Sequence, residues 1–499
     1  PLQAQAENGW IGKRVITQYG TVLQVGNQVV DDEGRGKNLA RGKDQAVFRI
    51  YKVEQANGPW LWLVAEGSGV KGWAPAAKVI LFEQAIDHFT NQIRANPGAS
   101  ANYVWRANVW KARKEFDIAI ADYNEAIRLD PGDSPAYHGR GLAWNAKKDY
   151  DKAIADYNEA IRLDPGSALA YIGRGKAWMA KKDYDKAVAD FNEAIRLDPG
   201  SALAYFNRGG AWNYKKDYDK AIADINEAIR LDPGSALAYV GRGNAWWANK
   251  DYDKAIADYN EVIRLDPGLA AAYHNRGYAW SAKKDYDKAI ADYDKAIRLD
   301  PGDALAYNNR GNAWRAKKDY DKAIADCNEA IRLDPGDALA YINRGVAFLL
   351  TGSEKAVDDE RKFLELEGWR GEYSQYAVLL GYFGSRRAGK AEAARRFLDE
   401  AAAKCDTAAW PYPVIRYLRG EIDQNALLAA ATDTDKMTGA RCYLGLDLAL
   451  KGRDDTAIEH YRWVVEHGTP TFVEYTIAAA ELERLEKANQ PRDKRVKWD

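Results

Sequence analysis

A 34-residue unit recurs almost letter for letter from Ser100 to about Trp369. It reads SPAYHGRGLAWNAKKDYDKAIADYNEAIRLDPGS over Ser134–Ser167 and begins again at Ala168, Ala202, Ala236, Ala270 and Ala304. A fixed period of this length restricts the chain to stacked supersecondary units, each burying its apolar edge against the next.

Each unit contains two amphipathic stretches. Tyr137, Gly141 and Trp144 fall at i, i+4 and i+7, one stripe of a helix, and the polar turn Lys147-Lys148-Asp149 follows. The second stretch starts near Asp151 and carries Ala153, Tyr157, Ala160 and Ile161 on one face. It ends at Leu163-Asp164-Pro165-Gly166, where proline cannot continue a helix. One unit is therefore a helix hairpin. Gly141, Ala153 and Ala160 leave room for Tyr137, Trp144 and Tyr157, so the hairpin interlocks and its spare apolar edge stacks on its neighbour.

This aromatic, Gly, aromatic, Ala, aromatic, Ala, Pro series resembles the tetratricopeptide repeat family. Seven successive units from Ser100 to Asp337 carry it, and an eighth from Ala338 shows Tyr341, Gly345 and Phe348 but is one residue short before Ala356. The resemblance implies a mainly α protein, a right-handed α-solenoid made as a superhelix of helix hairpins. One departure runs through the units. Arg106, Arg140, Arg174, Arg208, Arg242, Arg276, Arg310 and Arg344 stand where the family usually has leucine. The constant aspartate of the second helix (Asp122, Asp156, Asp190 and onward) is the expected partner.

The first 80 residues show period-2 alternation instead. Candidate strands are Arg14–Thr17, Thr21–Gln24, Val47–Gln55, Trp60–Ala65 and Val70–Trp73, with Gly and Asn between them. The run from Pro59 to Ile80 resembles the end of an SH3-like barrel, with Trp60, Trp62, Gly72, Trp73 and Pro75 at the family's positions. The likeness implies a small N-terminal all-β barrel with an aromatic surface of Trp60, Trp62, Trp73 and Pro75. Lys78 stands where proline-rich-peptide binders carry a second groove tyrosine, so bacterial envelope modules are the closer analogy; a barrel that only caps the array is the alternative. The stretch Phe82–Ala95, ending at Asn96-Pro97-Gly98, matches the second helix of a repeat whose first helix the barrel replaces. Barrel and array are thus expected to abut.

After Trp369 the pattern decays, but Gly381, Ala393 and Phe397, then Gly445, Ala457 and Tyr461, keep the spacing. A short Pro-Tyr-Pro helix, a YLRGEID turn and a final helix over Thr471–Lys487 resemble the C-terminal part of bacterial envelope tetratricopeptide lipoproteins, which implies an adaptor holding cell-wall enzymes together. The expected organisation is an SH3-like barrel over 1–80, a connecting helix over 81–99, the array over 100–371, a degenerate helical cap over 372–488 and a solvated tail over 489–499.

Composition excludes several classes. No run of the 499 residues approaches the ~18 apolar residues of a membrane span, so no transmembrane segment is expected. The net charge of −1 is nearly balanced within each repeat, as in Ser134–Ser167 with five Lys/Arg against five Asp/Glu, which leaves no basic field for nucleic acid. Cys327, Cys405 and Cys442 fall on predicted helices as small buried residues. His88, His138, His274, His460 and His467 lack partners at metal spacing, and Gly67–Gly72 satisfies G-x-G-x-x-G but leads into Trp73-Ala74-Pro75, a hairpin turn and not a nucleotide loop. No catalytic, cofactor-binding or metal-binding residue is expected, and no enzyme; an active site would have to lie within residues 374–470. The sequence begins at Pro1, which indicates processing or trimming, and Ala4-Gln5-Ala6 resembles the small-x-small end of a secretory signal. That favours export to the periplasm, cell surface or medium over the cytoplasm.

Comparison of the units with one another separates a constant scaffold from three variable rows in the first helix. The first row reads His138, Ile172, Phe206, Val240, His274 and Asn308; the second Leu142, Lys176, Gly210, Asn244, Tyr278 and Asn312; the third Asn145, Met179, Asn213, Trp247, Ser281 and Arg315. Spacings of four and three place them on one helix face, turned toward the inside of the superhelix, the concave ligand surface by family analogy. Phe206, Trp247 and Tyr278 supply anchors, and Asn244, Asn312 and Arg315 hydrogen bonds. The family's clamp for a C-terminal carboxylate is not expected, because Leu203, Leu237, Asn207 and Gly241 fill its positions. The reading is a non-catalytic scaffold that binds a partner protein or peptide. The alternative is a self-assembling subunit of an envelope or extracellular filament, in which the constant Lys, Asp and Tyr surface makes repeated contacts with further copies.

Overall fold

The computed structural model describes residues 10–17, 23–25, 28–30, 49–57, 60–66, 71–353, 355–371 and 373–489. They contain seven β-strands and 24 α-helices, and the chain divides into two compact units, 1–245 and 246–499. Ala4-Gln5-Ala6, the Gly67–Val70 part of the glycine-rich turn and the tail from Gln490 lie outside the described residues.

Unit 1 opens with β1 (Arg14–Thr17), β2 (Leu23–Val25), β3 (Gln28–Val30), β4 (Ile50–Asn57), β5 (Trp60–Ala65), β6 (Lys71–Pro75) and β7 (Val79–Leu81). They form one antiparallel sheet in the order β3-β2-β6-β5-β4-β1-β7. Leu61, Leu63 and Ala74 bury on one face with Val15, Tyr51 and Val53, and Trp60, Trp62, Trp73 and Pro75 stay half-buried on the other, the alternation a pleated strand dictates. A bulge between Val53 and Gln55 shifts the register, and β4 runs two residues beyond the expected Gln55. β3, only three residues long beside Gly26-Asn27, is too short for periodicity to reveal. Ile16 and Ile80 of the sheet share a core cluster with Phe89 of the helix Ala85–Ala95 and Val109 of the first repeat, so the sheet abuts the helices as expected.

From Ser100 the helices come in pairs, such as Ser134–Ala146 with Tyr150–Leu163. The Asp149 carboxylate caps the second helix by accepting from the Lys152 amide, and Lys148, at φ 64°, makes the left-handed turn between the two. Asp164 Oδ1 accepts from the Gly166 amide at 3.1 Å and folds the Asp-Pro-Gly exit. Tyr157 is fully buried. Its ring lies against Gly141 of its own repeat and Gly173 of the next, where an added Cβ would stand 2.8 and 2.6 Å from a ring carbon. The same small-for-large exchange therefore packs the hairpin and stacks it.

The arginine row does what the sequence implied. Nε and Nη2 of Arg106, Arg140, Arg174 and Arg208 in unit 1 grip Asp122, Asp156, Asp190 and Asp224 at 2.6–2.9 Å. Arg276, Arg310 and Arg344 in unit 2 grip Asp292, Asp326 and Asp359 at 2.6–2.8 Å. The remaining Nη1 reaches back to the preceding repeat, from Arg140 to Asn124, Arg174 to Asn158 and Arg208 to Asn192, at 2.6–2.7 Å. One guanidinium thus ties three helices, which the planar fork permits and a leucine could not match.

In unit 2 the hairpin pattern outlives the repeat. Gly381 meets the Phe397 ring and Gly445 the Tyr461 ring, with an added Cβ 2.6 and 2.4 Å from ring carbons. The helices from Ser374 to Asn489 share one apolar cluster with Val346, Leu349 and Phe363 of the eighth repeat. Arg387 donates to the Leu349 carbonyl at 2.7 Å and pairs with Glu481 at 2.6 Å, which fastens the last helix, Val473–Asn489. Cys327 and Cys442 lie buried on helices. Cys405, also buried, instead follows the helix Ala391–Lys404 as its extended cap.

Glu360 stands where other repeats place Tyr157, Phe191 or Tyr293. It is fully buried, and neither carboxyl oxygen has a hydrogen-bond partner. Burial, followed by the Asp359 carboxylate beside it, pushes Glu360 well above the usual carboxylate range. The folded chain then holds a proton that the unfolded chain releases, so this group's contribution is complete at or below the ordinary glutamate range and is lost as pH rises toward its folded value. Glu360→Gln is expected to leave stability unchanged near pH 4 and to raise it at pH 8 by about 1–3 kcal/mol. Hydrogen exchange of 356–367 and 374–387 reads the effect; an unchanged pH dependence in the variant refutes it.

Candidate functional site

Within each unit, successive first helices touch one another, while no comparable contact joins successive second helices. The first helices therefore lie on the tighter, inner side of the stack, and the three variable rows ride on them.

In unit 1, Ile172 is buried at 4% exposure in the apolar cluster around Phe191. It serves packing and offers no ligand surface. His138, Phe206 and Val240 are half-buried; Phe206 rests on Gly241, where an added Cβ would come within 2.9 Å of its ring. In the second row Leu142 is half-buried, Lys176 and Asn244 are exposed, and Gly210 opens onto Met179, whose Cε would lie 3.7 Å from an added Cβ. The third row, Asn145, Met179 and Asn213, is half-buried, and the Oδ1 atoms of Asn145 and Asn213 are enclosed without a hydrogen-bond partner.

In unit 2, Asn308 is buried at 4% and accepts from Asn343 Nδ2 of the next repeat at 2.9 Å. His274 is likewise engaged across the repeat boundary, Nδ1 with Asp303 at 3.2 Å and Nε2 with Asn309 at 3.1 Å. These two sequence candidates act as struts, because first-row side chains point into the seam between hairpins. Exposed Tyr278 stacks on Trp247 with centroids 5.0 Å apart at 24°, and Ser281 Oγ lies 3.4 Å from Tyr293 OH. Enclosed polar atoms without partners recur here: Trp247 Nε1, Asn312 Oδ1, and Nε and Nη1 of Arg315. Burial lowers the Arg315 pKa, and its nearest ionisable neighbours, Cys327, Tyr320 and Tyr286, bring no carboxylate.

Two further sets of residues share this face. Leu169, Leu203 and Leu237 in unit 1 are 38, 47 and 62% exposed, and Leu305 and Leu339 in unit 2 are 57 and 51% exposed. They lie outside the three variable rows, although Leu203 and Leu237 stand at the family's clamp positions; the leucine recurs in five of the eight units, with Ala101, Pro135 and Ala271 in the others. Asn108 and Lys111 extend the second and third rows into the first repeat, N-terminal to the rows that begin in the Ser134 unit.

The constant surface has intramolecular work. Lys147 pairs with Asp117, Lys181 with Asp151 and Lys215 with Asp185 of the preceding repeat, and in unit 2 Lys283 pairs with Asp253 and Lys317 with Asp287. Lys152, Lys186 and Lys220 lie 4.3–4.5 Å over the rings of Trp144, Trp178 and Trp212. Constancy there is explained by contacts within the chain. The four predicted sheet residues come together in register, Trp60 opposite Pro75 and Trp62 opposite Trp73, the last two rings 5.3 Å apart. Among the described residues no group of three His, Cys, Asp or Glu is placed to hold a metal, and no helix is long and apolar enough to cross a membrane.

A family model for the tetratricopeptide repeat matches residues 108–168, 146–202, 172–236, 214–270 and 278–338. The hairpin array is a tetratricopeptide repeat array. Tetratricopeptide proteins mediate protein–protein interaction, and the fold here is a mostly helical tetratricopeptide solenoid with a small N-terminal antiparallel sheet. Among solved structures the chain is similar to YrrB, a tetratricopeptide protein with an unusual peptide-binding site (26% identity, 39% of this chain and 97% of that one, TM-score 0.32). It is also similar to MamA (29% identity, 33% and 96%, TM-score 0.31) and to a tetratricopeptide repeat protein from Parabacteroides merdae (17% identity, 50% and 98%, TM-score 0.42). No curated protein matches the chain.

Proposed function

We propose that this protein is a non-catalytic scaffold that holds a segment of a partner protein along the first-helix face of its tetratricopeptide array. The observation that carries the reading is the periodic exposure of one leucine in three successive repeats, Leu169, Leu203 and Leu237. Exposed apolar side chains at a fixed period gain free energy only when something covers them. The third row beside them, with the enclosed Asn145 and Asn213 oxygens, provides hydrogen-bonding positions for a bound main chain. In unit 2, Leu305, Leu339, Tyr278, Trp247 and Arg315 provide the same mixture.

On this reading Trp60, Trp62, Trp73 and Pro75 of the sheet form a second docking surface of an SH3-like module, and the C-terminal helices suit an adaptor among bacterial envelope proteins. The exposed leucines are the natural test, because about half of each side chain already faces solvent and their loss costs the fold little. Leu203→Ser with Leu237→Ser is expected to lower recovery of a co-purified native partner at least tenfold while leaving the melting curve unchanged, since two buried leucine contacts are worth about 3 kcal/mol or more at an interface. Undiminished recovery sinks the proposal.

A further inference from the structure

The hairpin of helices Thr434–Leu450 and Asp454–His467 keeps the packing residues of a repeat but not its ion pair. Gly445 and Tyr461 stand in the places of Gly141 and Tyr157; at the same offset Leu444 takes the place of Arg140, His460 that of Asp156 and Arg441 that of Tyr137. An arginine therefore persists about one turn earlier on the first helix, while the aspartate of the other repeats has become a histidine.

Arg441 is half-buried. Its guanidinium carbon lies 4.7 Å from the centre of the Trp463 ring, and Nη1 lies 3.5 Å from His460 Nδ1, the outer limit of a hydrogen bond. Nε is enclosed without a partner. Burial lowers Arg441, with no carboxylate to offset it. His460, 5% exposed, is pushed down to about 4 by burial and then by Arg441. Acids on the neighbouring elements are engaged elsewhere: Glu474 accepts from Tyr443 OH at 3.0 Å, Glu481 pairs with Arg387 and Glu486 with Arg462. The cluster thus carries one positive charge at neutral pH, has room for a second on the imidazole, and contains no anion. A partly desolvated arginine in this setting is stabilised by an anion from outside.

We infer that Arg441 and His460, beside Trp463, form a binding site for a phosphate monoester. A carboxylate needs only the arginine fork. The imidazole 3.5 Å away adds a second donor and a second charge, which a phosphate dianion uses and a carboxylate does not. Neutral His460 accepts weakly from Arg441 Nη1. When an oxyanion takes that hydrogen bond, His460 takes up a proton from solvent and donates to the same group. The second ionisation of a phosphate monoester lies near 6 and that of a free imidazole near 6.5, so the two readily share one proton. Trp463 holds the guanidinium plane in place, and the His467 ring stacks on the same indole with centroids 5.4 Å apart. The site lies outside the three variable rows, so it goes beyond the scaffold reading and is independent of it.

The test uses the full chain near pH 6 with inorganic phosphate as the probe, and acetate and chloride at matched ionic strength. Equilibrium dialysis should show phosphate held at least tenfold more tightly than acetate. With isotope-labelled histidine, the His460 midpoint, near 4 without phosphate, should rise by at least one pH unit in its presence, while those of His88, His138 and His274 stay in place. Arg441→Gln should weaken phosphate binding at least tenfold. His460→Asp returns the carboxylate of the other repeats and should do the same with the melting curve retained. His460→Gln keeps the arginine and should erase the preference over acetate. An equal response of His460 to acetate or chloride overturns the inference, as does phosphate binding that survives His460→Asp in a folded chain. Should the variants unfold, the His460 midpoint in the parent chain decides alone. A glycine-flanked phosphoserine peptide held more tightly than inorganic phosphate assigns the ester to a partner chain, and equal binding assigns it to a phosphorylated small molecule.

Discussion

Asp190→Ala is expected to destabilise the repeats around it by about 2–4 kcal/mol, because it leaves the Arg174 guanidinium enclosed without its carboxylate. The Asp190 side chain is 8% exposed and that of Arg174 22%, so the loss falls somewhat below that of a fully buried pair. Arg174→Leu with Asp190→Ala should recover most of it, since an apolar side chain carries no desolvation penalty, and leucine is what tetratricopeptide repeats usually place there. The double variant should still fall short of the parent by the inter-repeat bond from Arg174 to Asn158, 2.7 Å in length, worth about 1–2 kcal/mol to a charged donor. Hydrogen exchange over 150–197 is the appropriate readout, because a repeat array opens locally and not in one step. A double variant less stable than the single one would show that the arginine row does not act as described.

Gly173→Ala should be nearly as harmful, by about 1–3 kcal/mol or more. The added methyl carbon would stand 2.6 Å from Tyr157 Cε1, and the ring has little room to retreat because it already lies against Gly141 of its own repeat. Both contacts involve rigid partners, so the hairpins must separate. Tyr157→Ile in the same chain should restore much of the loss, since the fourth repeat already carries Ile225 at this position between Gly209 and Gly241. Exchange rates of the helices 150–163 and 168–180 measure both steps; a Gly173→Ala chain with parental protection would mean that adjacent repeats are not held by this contact.

Much of the array was legible because its rules are local. Tyr157 opposite Gly141, Arg140 opposite Asp156, and the Lys147-Lys148-Asp149 turn all follow from spacing within one unit, and the period propagates them. Gly381 with Phe397 and Gly445 with Tyr461 were recovered in the degenerate end for the same reason. The site was less legible. Ile172 and Asn308 vary from repeat to repeat like their neighbours, yet they fill the seam between hairpins. Variation there reflects the matching of adjacent repeats. The constant lysines and aspartates looked like a free outer surface, but Lys181 with Asp151 and Lys186 over Trp178 are bonds within the stack.

The sequence by itself determined the hairpin, its period, its turns and the pairing of the arginine and aspartate rows, since each depends on residues no more than about one repeat apart. Only the tertiary structure decided which first-helix residues remain available: the exposed leucines and the enclosed polar atoms of the third row. Exposure and hydrogen-bond satisfaction are sums over everything packed around a side chain, and those neighbours come from adjacent hairpins that a single repeat cannot specify.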